Sequence, residues 1–146
     1  MSAYADTSLL VSLYTKDANS EEASTLFRGW QDLVVVTPFG EAEFVNSIEL
    51  RVFRKEISST QAENSLRDFQ RDLDAGSFLA SRPVPPDAYE RAQLLSRRYT
   101  MQIGVRGMDV IHVAIAQEVN AETFLTFDKN QATLAKRAGL TVRPRR

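Results

Sequence analysis

The sequence predicts an α/β domain built on a mainly parallel sheet. Short apolar stretches alternate with longer amphipathic stretches along the whole chain, which is the pattern of strands separated by helices. The clearest strand, residues 33–37, is apolar and rich in valine, as is typical of a parallel strand covered on both faces. The 146 residues show no repeat, linker or low-complexity segment, so they predict one domain over residues 1–146.

The first half of the chain begins with a very short apolar segment that predicts a strand. Apolar residues at helical spacing predict the helices, and Pro38 ends the clearest strand. Thr60 and Glu63 have the spacing of a capping box, which predicts a helix start at that point. The predicted elements are a strand at 3–5, helices at 9–14 and 21–30, a strand at 33–37, and helices at 41–55 and 60–73.

In the second half, a possible strand at 78–84 precedes a helix that starts at residues 85–87 and ends near residue 99. Asp87 and Glu90 have capping-box spacing at the start of this helix. Gly139 has the position of a residue that ends a helix. The remaining predictions are a central helix from 106 to 119, a strand at 123–126, a helix at 131–138 and a last strand at 140–142.

Composition excludes several classes of protein. Apolar residues make up 43% of the chain and charged residues 25%, which is the balance of a soluble globular domain. The net charge of −1 means that any nucleic-acid surface must be a local basic patch. The absence of cysteine removes disulfides and zinc–thiolate sites. No apolar run is long enough to span a membrane and no signal peptide is recognisable, so we expect a cytoplasmic protein.

The central helix raises a question about Asp109. The helix is apolar nearly all round after its first turn, so it is predicted to be buried in the middle of the domain. Asp109 stands at its start, and the ordinary interpretation is an N-cap that accepts backbone N–H groups. An ionised carboxylate taken out of water is otherwise costly unless it is paired, hydrogen-bonded or bound to a metal.

Three further acids follow predicted strands. Asp6 follows the first strand, Glu43 follows the strand that ends at Thr37, and Asp128 follows the strand that ends at Thr126. Sites in open α/β sheets form at the carboxyl ends of the strands, so these acids and Asp109 are expected to converge. Such a cluster is unfavourable unless a cation neutralises it. Oxygen ligands without cysteine favour a hard ion, Mg²⁺ or Mn²⁺.

The motifs around these acids, taken together and in order, resemble a known family. The segments Ala5-Asp-Thr-Ser-Leu-Leu10, Thr37-Pro38 leading to Glu43-Phe-Val-Asn46, Met108-Asp-Val-Ile-His-Val-Ala114 and Leu125-Thr-Phe-Asp128 look like a PIN domain, over essentially the whole chain. They are most similar to the toxins of bacterial VapBC toxin–antitoxin pairs. The resemblance implies a three-layer sandwich with a mainly parallel central sheet flanked by helices. It also implies a metal-dependent endoribonuclease directed at single strands, leaving a 5′-phosphate and a 3′-hydroxyl.

The resemblance also assigns roles to single residues. Asp6, Glu43, Asp109 and Asp128 match the family's acidic quartet, which is both catalytic and metal-binding. The other matching positions are Thr126, which helps to orient the site, Thr7, which follows the first acid, and Asn46, which is polar in a subset of the family.

Neighbouring residues leave two questions open. Glu41 also lies near the strand end and competes with Glu43, which the surrounding motif favours. Arg106 and His112 flank Asp109 as possible supporting residues. For His112 we expect a packed, hydrogen-bonded helix residue, since a metal ion can activate water without a catalytic base.

The acidic site would require a basic rim to bind RNA. The candidates for this rim are Arg51, Arg54, Lys55, Arg97, Arg98, Arg106 and Lys129. The alternative for each of them is an ordinary surface charge that does not bind phosphate. The resemblance further implies a homodimer and a small VapB-type antitoxin laid over the site. Trp30 and Phe69 are interpreted either as exposed anchors for such partners or as core residues.

The sequence lacks the motifs of two other classes of phosphoryl-handling α/β protein. A haloacid-dehalogenase-type phosphatase would need an aspartate at the position of Ser8, and a receiver domain would need adjacent acids near the first strand and a lysine on the last strand. Neither pattern is present. A non-catalytic PIN-like module that binds protein or RNA, or another metal-dependent phosphodiesterase, stays open as an alternative.

Overall fold

The fold is an α/β sandwich in which the predicted order of strands and helices is largely preserved. The computed structural model describes residues 2–80 and 84–145. The strands are β1 (Ser2–Ala5), β2 (Leu33–Val36), β3 (Leu79–Ala80), β4 (Thr123–Leu125) and β5 (Thr141–Arg143). The helices are α1 (Thr7–Tyr14), α2 (Ser20–Gly29), α3 (Pro38–Phe53), α4 (Ser59–Asp74), α5 (Asp87–Leu95), α6 (Met101–Ile103), α7 (Gly107–Glu118) and α8 (Lys129–Arg137). A π-helical segment, Ser96–Thr100, joins α5 to α6.

All five strands are parallel, in the order β3-β2-β1-β4-β5. The central strand β1 pairs with β2 on one side and β4 on the other, with Tyr4 opposite both Val35 and Phe124. The chain moves outward from β1 in both directions, so the order of the strands changes direction there. A crevice at the carboxyl ends of the strands is the expected place for a site in such a sheet.

The sheet separates the interior into two hydrophobic cores, one on each of its faces. Tyr4 and Phe124 contribute to a core packed against α5, α7 and α8. Ala3, Ala5 and Leu125 contribute to the opposite core, packed against α1, α2, α3 and α4. Successive strand side chains point to opposite faces, so β1, β2 and β4 each supply both cores. The result is the predicted three-layer sandwich.

The boundaries of α3 differ from the sequence prediction. The helix begins at Pro38 instead of residue 41, and the Thr37 side chain caps it by accepting the Gly40 N–H at 3.2 Å. Proline is well suited to the first helical position because its missing N–H has no partner there. Glu43 therefore lies in the second turn of α3, not in the first.

Two predicted capping boxes are wrong. The box of α4 is formed by Ser58 and Gln61, two residues earlier than the predicted pair of Thr60 and Glu63. At α5 no side chain caps the helix, and Asp87 lies inside its first turn. Acids in a first turn still interact favourably with the helix dipole, which accounts for the acidic residues there.

The remaining differences concern strand length and burial. The predicted strand at 78–84 is found as Leu79–Ala80, and positions 81–83 lie outside the described residues. Phe69 belongs to the core, so its interpretation as an exposed anchor is wrong, while Trp30 is half-buried against the same core. Gly139 ends α8 with a φ of 91°, as predicted. None of the helices in the described ranges has both the length and the hydropathy needed to cross a membrane.

Candidate active site

A cleft of about 790 Å³ opens at the carboxyl ends of the central strands. All four predicted acids line it, although they come from separate parts of the chain. Asp6 follows β1, Glu43 projects from α3, Asp109 lies in the first turn of α7 and Asp128 follows β4. The pairing of β1 with β4 brings Asp6 and Asp128 to one edge of the sheet, and helices α3 and α7 bring Glu43 and Asp109 to the same cleft.

Asp6 is the most deeply buried of these acids, with 3% of its surface exposed. It is the N-cap of α1 and accepts the Leu9 N–H at 3.0 Å. The hydroxyl groups of Ser8 and Thr126 each donate to it at 2.7 Å. Burial nevertheless raises the pKa of Asp6 from 3.8 to about 6, against the opposing effects of His112 and these hydrogen bonds.

Thr126 connects the end of β4 to the two aspartates. Its hydroxyl donates to Asp6 and accepts the backbone N–H of Asp128 at 3.0 Å. Asp128 then caps α8 by accepting the Gln131 N–H at 2.8 Å. The predicted orienting role of Thr126 is thus compatible with its contacts.

Sequence reasoning missed two residues of this hydrogen-bonded group. Gln131 is 1% exposed, and its side-chain oxygen lies 3.1 Å from the Thr126 hydroxyl. Ser8, besides donating to Asp6, accepts the Phe127 N–H at 3.0 Å. The sequence feature that could have indicated Gln131 is its position three residues after Asp128. A capping aspartate accepts the backbone N–H of the residue at that position.

Glu43 is held by two side chains. The Thr7 hydroxyl donates to its Oε1 atom, and His112 Nε2 lies 2.8 Å from the same oxygen. Burial raises the pKa of Glu43, but the hydrogen bonds from His112 and Thr7 outweigh it, so the net pKa is below its usual value. Glu43 lines the cleft, whereas Glu41 is not among the residues that line it.

His112 is a packed helix residue with both ring nitrogens in contact with partners. It is 1% exposed, and its Nδ1 atom lies 2.7 Å from the Tyr4 hydroxyl. Tyr4 is itself fully buried on the central strand. If the tyrosine O–H donates to Nδ1, the Nε2–H is available to donate to Glu43. Sequence reasoning missed Tyr4, because nothing in a short apolar strand marks one residue as a partner of a distant histidine.

Asp109 is not the N-cap of α7. Arg106 occupies the cap position, and its Nε atom lies 3.7 Å from Asp109 Oδ2. Burial and the negative charges of Asp128 and Glu43 raise the pKa of Asp109, more than Arg106 and His112 lower it. The ionised form of Asp109 is thus disfavoured first by burial and then by the acidic side chains of Asp128 and Glu43.

The chemistry of these donors suits a hard divalent cation. Carboxylate oxygens are its preferred ligands, and a positive charge would relieve the repulsion that acts on Asp109. Within residues 2–80 and 84–145, however, no three histidine or acidic side chains already form a cluster that could hold an ion. Side-chain rotations would therefore have to accompany binding.

Of the seven predicted rim cations, three line the cleft: Arg51, Arg54 and Arg106. Arg98 contributes instead to a separate cavity beside α7 and α8, where it lies over the Tyr99 ring. The side chains that line the cleft do not include the other three, which are Lys55, Arg97 and Lys129. Asn46 does line it, one helical turn beyond Glu43.

Comparison with known proteins agrees with this fold. The family model described as PIN domain matches residues 3–137. No curated protein matches the chain at the threshold applied. Among solved structures, the chain is similar to VapC20 of Mycobacterium tuberculosis, described as a toxin that cleaves the sarcin–ricin loop. The TM-score is 0.72 at 16% identity, over 95% of this chain and 96% of that one.

Two VapBC structures are also similar. VapBC-1 from nontypeable Haemophilus influenzae gives a TM-score of 0.65 at 16% identity, over 98% of this chain and 97% of that one. VapBC2 from Rickettsia felis, bound to a DNA fragment from its promoter, gives 0.64 at 15% identity, over 98% of each chain. Three observations agree on the family of this chain. They are the order of the parallel strands, the acids at the carboxyl edge of the sheet, and the family match over nearly the whole sequence. The chain belongs to the PIN-domain family.

Proposed function

We propose that this protein is an Mg²⁺- or Mn²⁺-dependent endoribonuclease that cuts single-stranded RNA, and that it is the toxin of a toxin–antitoxin pair. The observation that supports this most directly is the presence of Asp6, Glu43, Asp109 and Asp128 around one cleft. Carboxylates that lie close together with few positively charged partners repel one another and destabilise the fold, so stability alone does not explain their presence. Their use as ligands for a catalytic cation accounts for that cost.

In this proposal the four carboxylates hold the cation. When bound, it supplies neutralisation of the phosphodiester charge and Lewis-acid activation of the attacking water. Thr7 and His112 keep Glu43 ionised and fixed in orientation through their hydrogen bonds. Hydrolysis then leaves a 5′-phosphate and a 3′-hydroxyl.

Asp6 is positioned for its role both by the first turn of its own helix and by the neighbouring strand. Ser8 and Leu9 follow it on α1, whereas Thr126 comes from the end of the neighbouring strand. Because these three donors fix both carboxylate oxygens, the orientation of Asp6 does not depend on the substrate. Such preorganisation lowers the cost of reaching the reactive arrangement.

The partners in this proposal are RNA, a VapB-type antitoxin and a second copy of the chain. Several large apolar side chains are strongly exposed, among them Leu94 at 63% and Met101 at 98%. Exposed apolar surface often marks a protein interface. Light scattering of the purified chain tests the dimer, and co-expression with the product of an adjacent gene tests the antitoxin. Action on RNA would place the protein in the cytoplasm.

The decisive experiment measures cleavage of total RNA and of single-stranded oligonucleotides with Mg²⁺, Mn²⁺ or EDTA. We expect cleavage with either ion and none with EDTA. Asp109→Asn should lose more activity than the roughly 10–100-fold typical of changes beside a metal ligand. Asp87→Asn is the matched control, since Asp87 also lies in the first turn of a helix but is exposed and away from the cleft.

Two results would count against the proposal. Unchanged cleavage in Asp109→Asn would exclude this cleft as the active site. Binding of RNA by the wild-type protein without cleavage under any of these conditions would favour the alternative, a non-catalytic RNA-binding module.

A further inference from the structure

One face of α3, together with the C-cap residue Arg54 that follows it, carries side chains of different chemistry along the cleft. Glu43, Asn46, Leu50 and Arg54 all line the cleft and follow one another at intervals of three or four residues. Residues at that spacing lie above one another on one side of a helix. The face therefore runs from an acid through an amide and an apolar side chain to a cation.

Arg54 differs from the other two cations of the cleft in having no acidic partner. Arg51 is held by Asp17 at 3.2 Å and lies 3.8 Å from Glu56. Arg106 lies beside Asp109. For the Arg54 side chain, the described parts of the chain provide neither an ion pair nor a hydrogen bond.

The position of Arg54 also separates it from the acids. It lies eleven residues after Glu43, which corresponds to about 16 Å along a helix. A stacked nucleic-acid strand advances about 3.4 Å per nucleotide, so this distance spans about five stacked nucleotides, or fewer in an extended strand. A cation this far from the carboxylates can attract a phosphate without being neutralised by them.

The side chains between the two ends suit bases better than phosphates. Leu50 is 37% exposed and gives an apolar surface against which a base can lie. Asn46 is exposed and carries both a donor and an acceptor for a base edge. Neither side chain carries a charge that would bind the backbone.

We propose that α3 is a guide for single-stranded RNA in which Arg54 binds a backbone phosphate several nucleotides from the bond that is cut. Leu50 and Asn46 contact the intervening bases. This inference rests on the proposed function and adds a second, distant phosphate-binding position to it.

The test compares Arg54→Gln with Lys55→Asn. Each variant removes one positive charge from adjacent exposed residues, but Lys55 does not line the cleft. Asparagine is chosen at residue 55 because the φ there is 61°, a conformation that asparagine tolerates. Binding of a fluorescein-labelled single-stranded RNA of about a dozen nucleotides is measured by anisotropy at several salt concentrations with Mg²⁺. An Asp109→Asn background prevents cleavage during the titration.

We expect Arg54→Gln to weaken binding by up to about fivefold at low salt. It should also reduce the slope of log K against log salt by about 0.7, as expected for one lost contact with a single strand. Lys55→Asn should change neither quantity appreciably. When the RNA is shortened stepwise from each end, the effect of Arg54→Gln should disappear once the strand no longer reaches residue 54.

The outcomes separate the two proposals. If the protein with native Asp109 neither cuts nor binds RNA, the proposed function fails and the guide fails with it. If that protein cuts RNA but the two charge-removing variants have the same salt slope, only the guide is wrong. An effect of Arg54→Gln that does not depend on RNA length would also contradict it. Circular dichroism of both variants checks that their folds are intact.

Discussion

Replacing Asp6 by asparagine should stabilise the metal-free protein at neutral pH while removing its function. Burial raises the pKa of Asp6 from 3.8 to about 6. Because one pKa unit corresponds to about 1.4 kcal/mol, the ionised side chain costs the folded state up to about 3 kcal/mol. Asparagine has a similar shape and carries no charge, so the variant does not bear this cost.

The hydrogen bonds of Asp6 can largely be kept in Asp6→Asn. Ser8 and the Leu9 N–H can still donate to the amide oxygen. In the wild-type protein the Thr126 hydroxyl donates to Asp6. In the variant it can donate to the Gln131 side-chain oxygen, 3.1 Å away, and accept a hydrogen bond from the new amide group. Some mismatch will remain, so we expect a net gain of about 1–2 kcal/mol in the free energy of unfolding.

The gain should depend on pH in a defined direction. Since the folded-state pKa is raised, the folded chain binds more protons than the unfolded chain between about pH 4 and pH 6. The stability of the wild-type protein therefore falls through this window, and the full cost is present above it. Asp6→Asn should lack this fall, so the two proteins should differ most at neutral pH and least below about pH 4.

The assay is urea unfolding in EDTA at about pH 4 and pH 7.5, repeated with Mn²⁺ at the higher pH. Mn²⁺ should stabilise the wild type, and this stabilisation should be lost in Asp6→Asn. The exposed Asp87→Asn serves as the control and should change stability little at either pH. Equal destabilisation of Asp6→Asn at both pH values would refute the reasoning, because it would show that hydrogen bonds and not charge dominate at this position.

Three further predictions concern the core, a helix cap and the site. Phe69→Ala should cost about 3–5 kcal/mol in urea unfolding, because the ring is 4% exposed within an aromatic cluster, whereas Phe53→Ala at an 82% exposed position should cost less than about 0.5 kcal/mol. Ser58→Ala should cost about 1 kcal/mol and Thr60→Ala much less, and the reverse order would contradict the observed cap. Thr7→Val removes a hydroxyl donor to the cleft glutamate and should weaken Mn²⁺ binding, measured by calorimetry, by roughly tenfold, while Thr7→Ser should restore it.

The convergence of Asp6 and Asp128 could be predicted because it follows from the topology of the sheet. Once Asp6 and Asp128 are placed after neighbouring parallel strands, they must meet at one edge of the sheet. No side-chain detail is needed for that step. The observed pairing of β1 with β4 supplies the adjacency that the prediction assumed.

The supporting residues could not be predicted in the same way. Tyr4 and His112 are 108 residues apart in sequence and meet only through the packing of α7 on the sheet. Gln131 is a common polar residue whose burial depends on the same packing. Local sequence patterns carry no information about such long-range contacts.

The helix caps show a second kind of ambiguity. Ser58 with Gln61 and Thr60 with Glu63 are overlapping pairs with the same spacing, and only one of them can begin the helix. The rim cations present a similar choice, because the sequence does not show which of Arg54 and Lys55 faces the cleft. In both cases two neighbouring residues are equally suitable by sequence, and the conformation of the backbone determines which of them takes the role.

The central position of β1 has a consequence for when a newly made chain could become active. Asp6 is synthesised well before the hydroxyl of Thr126 that orients it, because 120 residues separate the two. A ribosome-bound chain that has not yet reached β4 would carry Asp6 and Glu43 without this strand beside them. Folding that depends on contacts so distant in sequence is slow. Any activity that depends on the orientation of Asp6 would thus be delayed until β4 has been synthesised and has paired with β1.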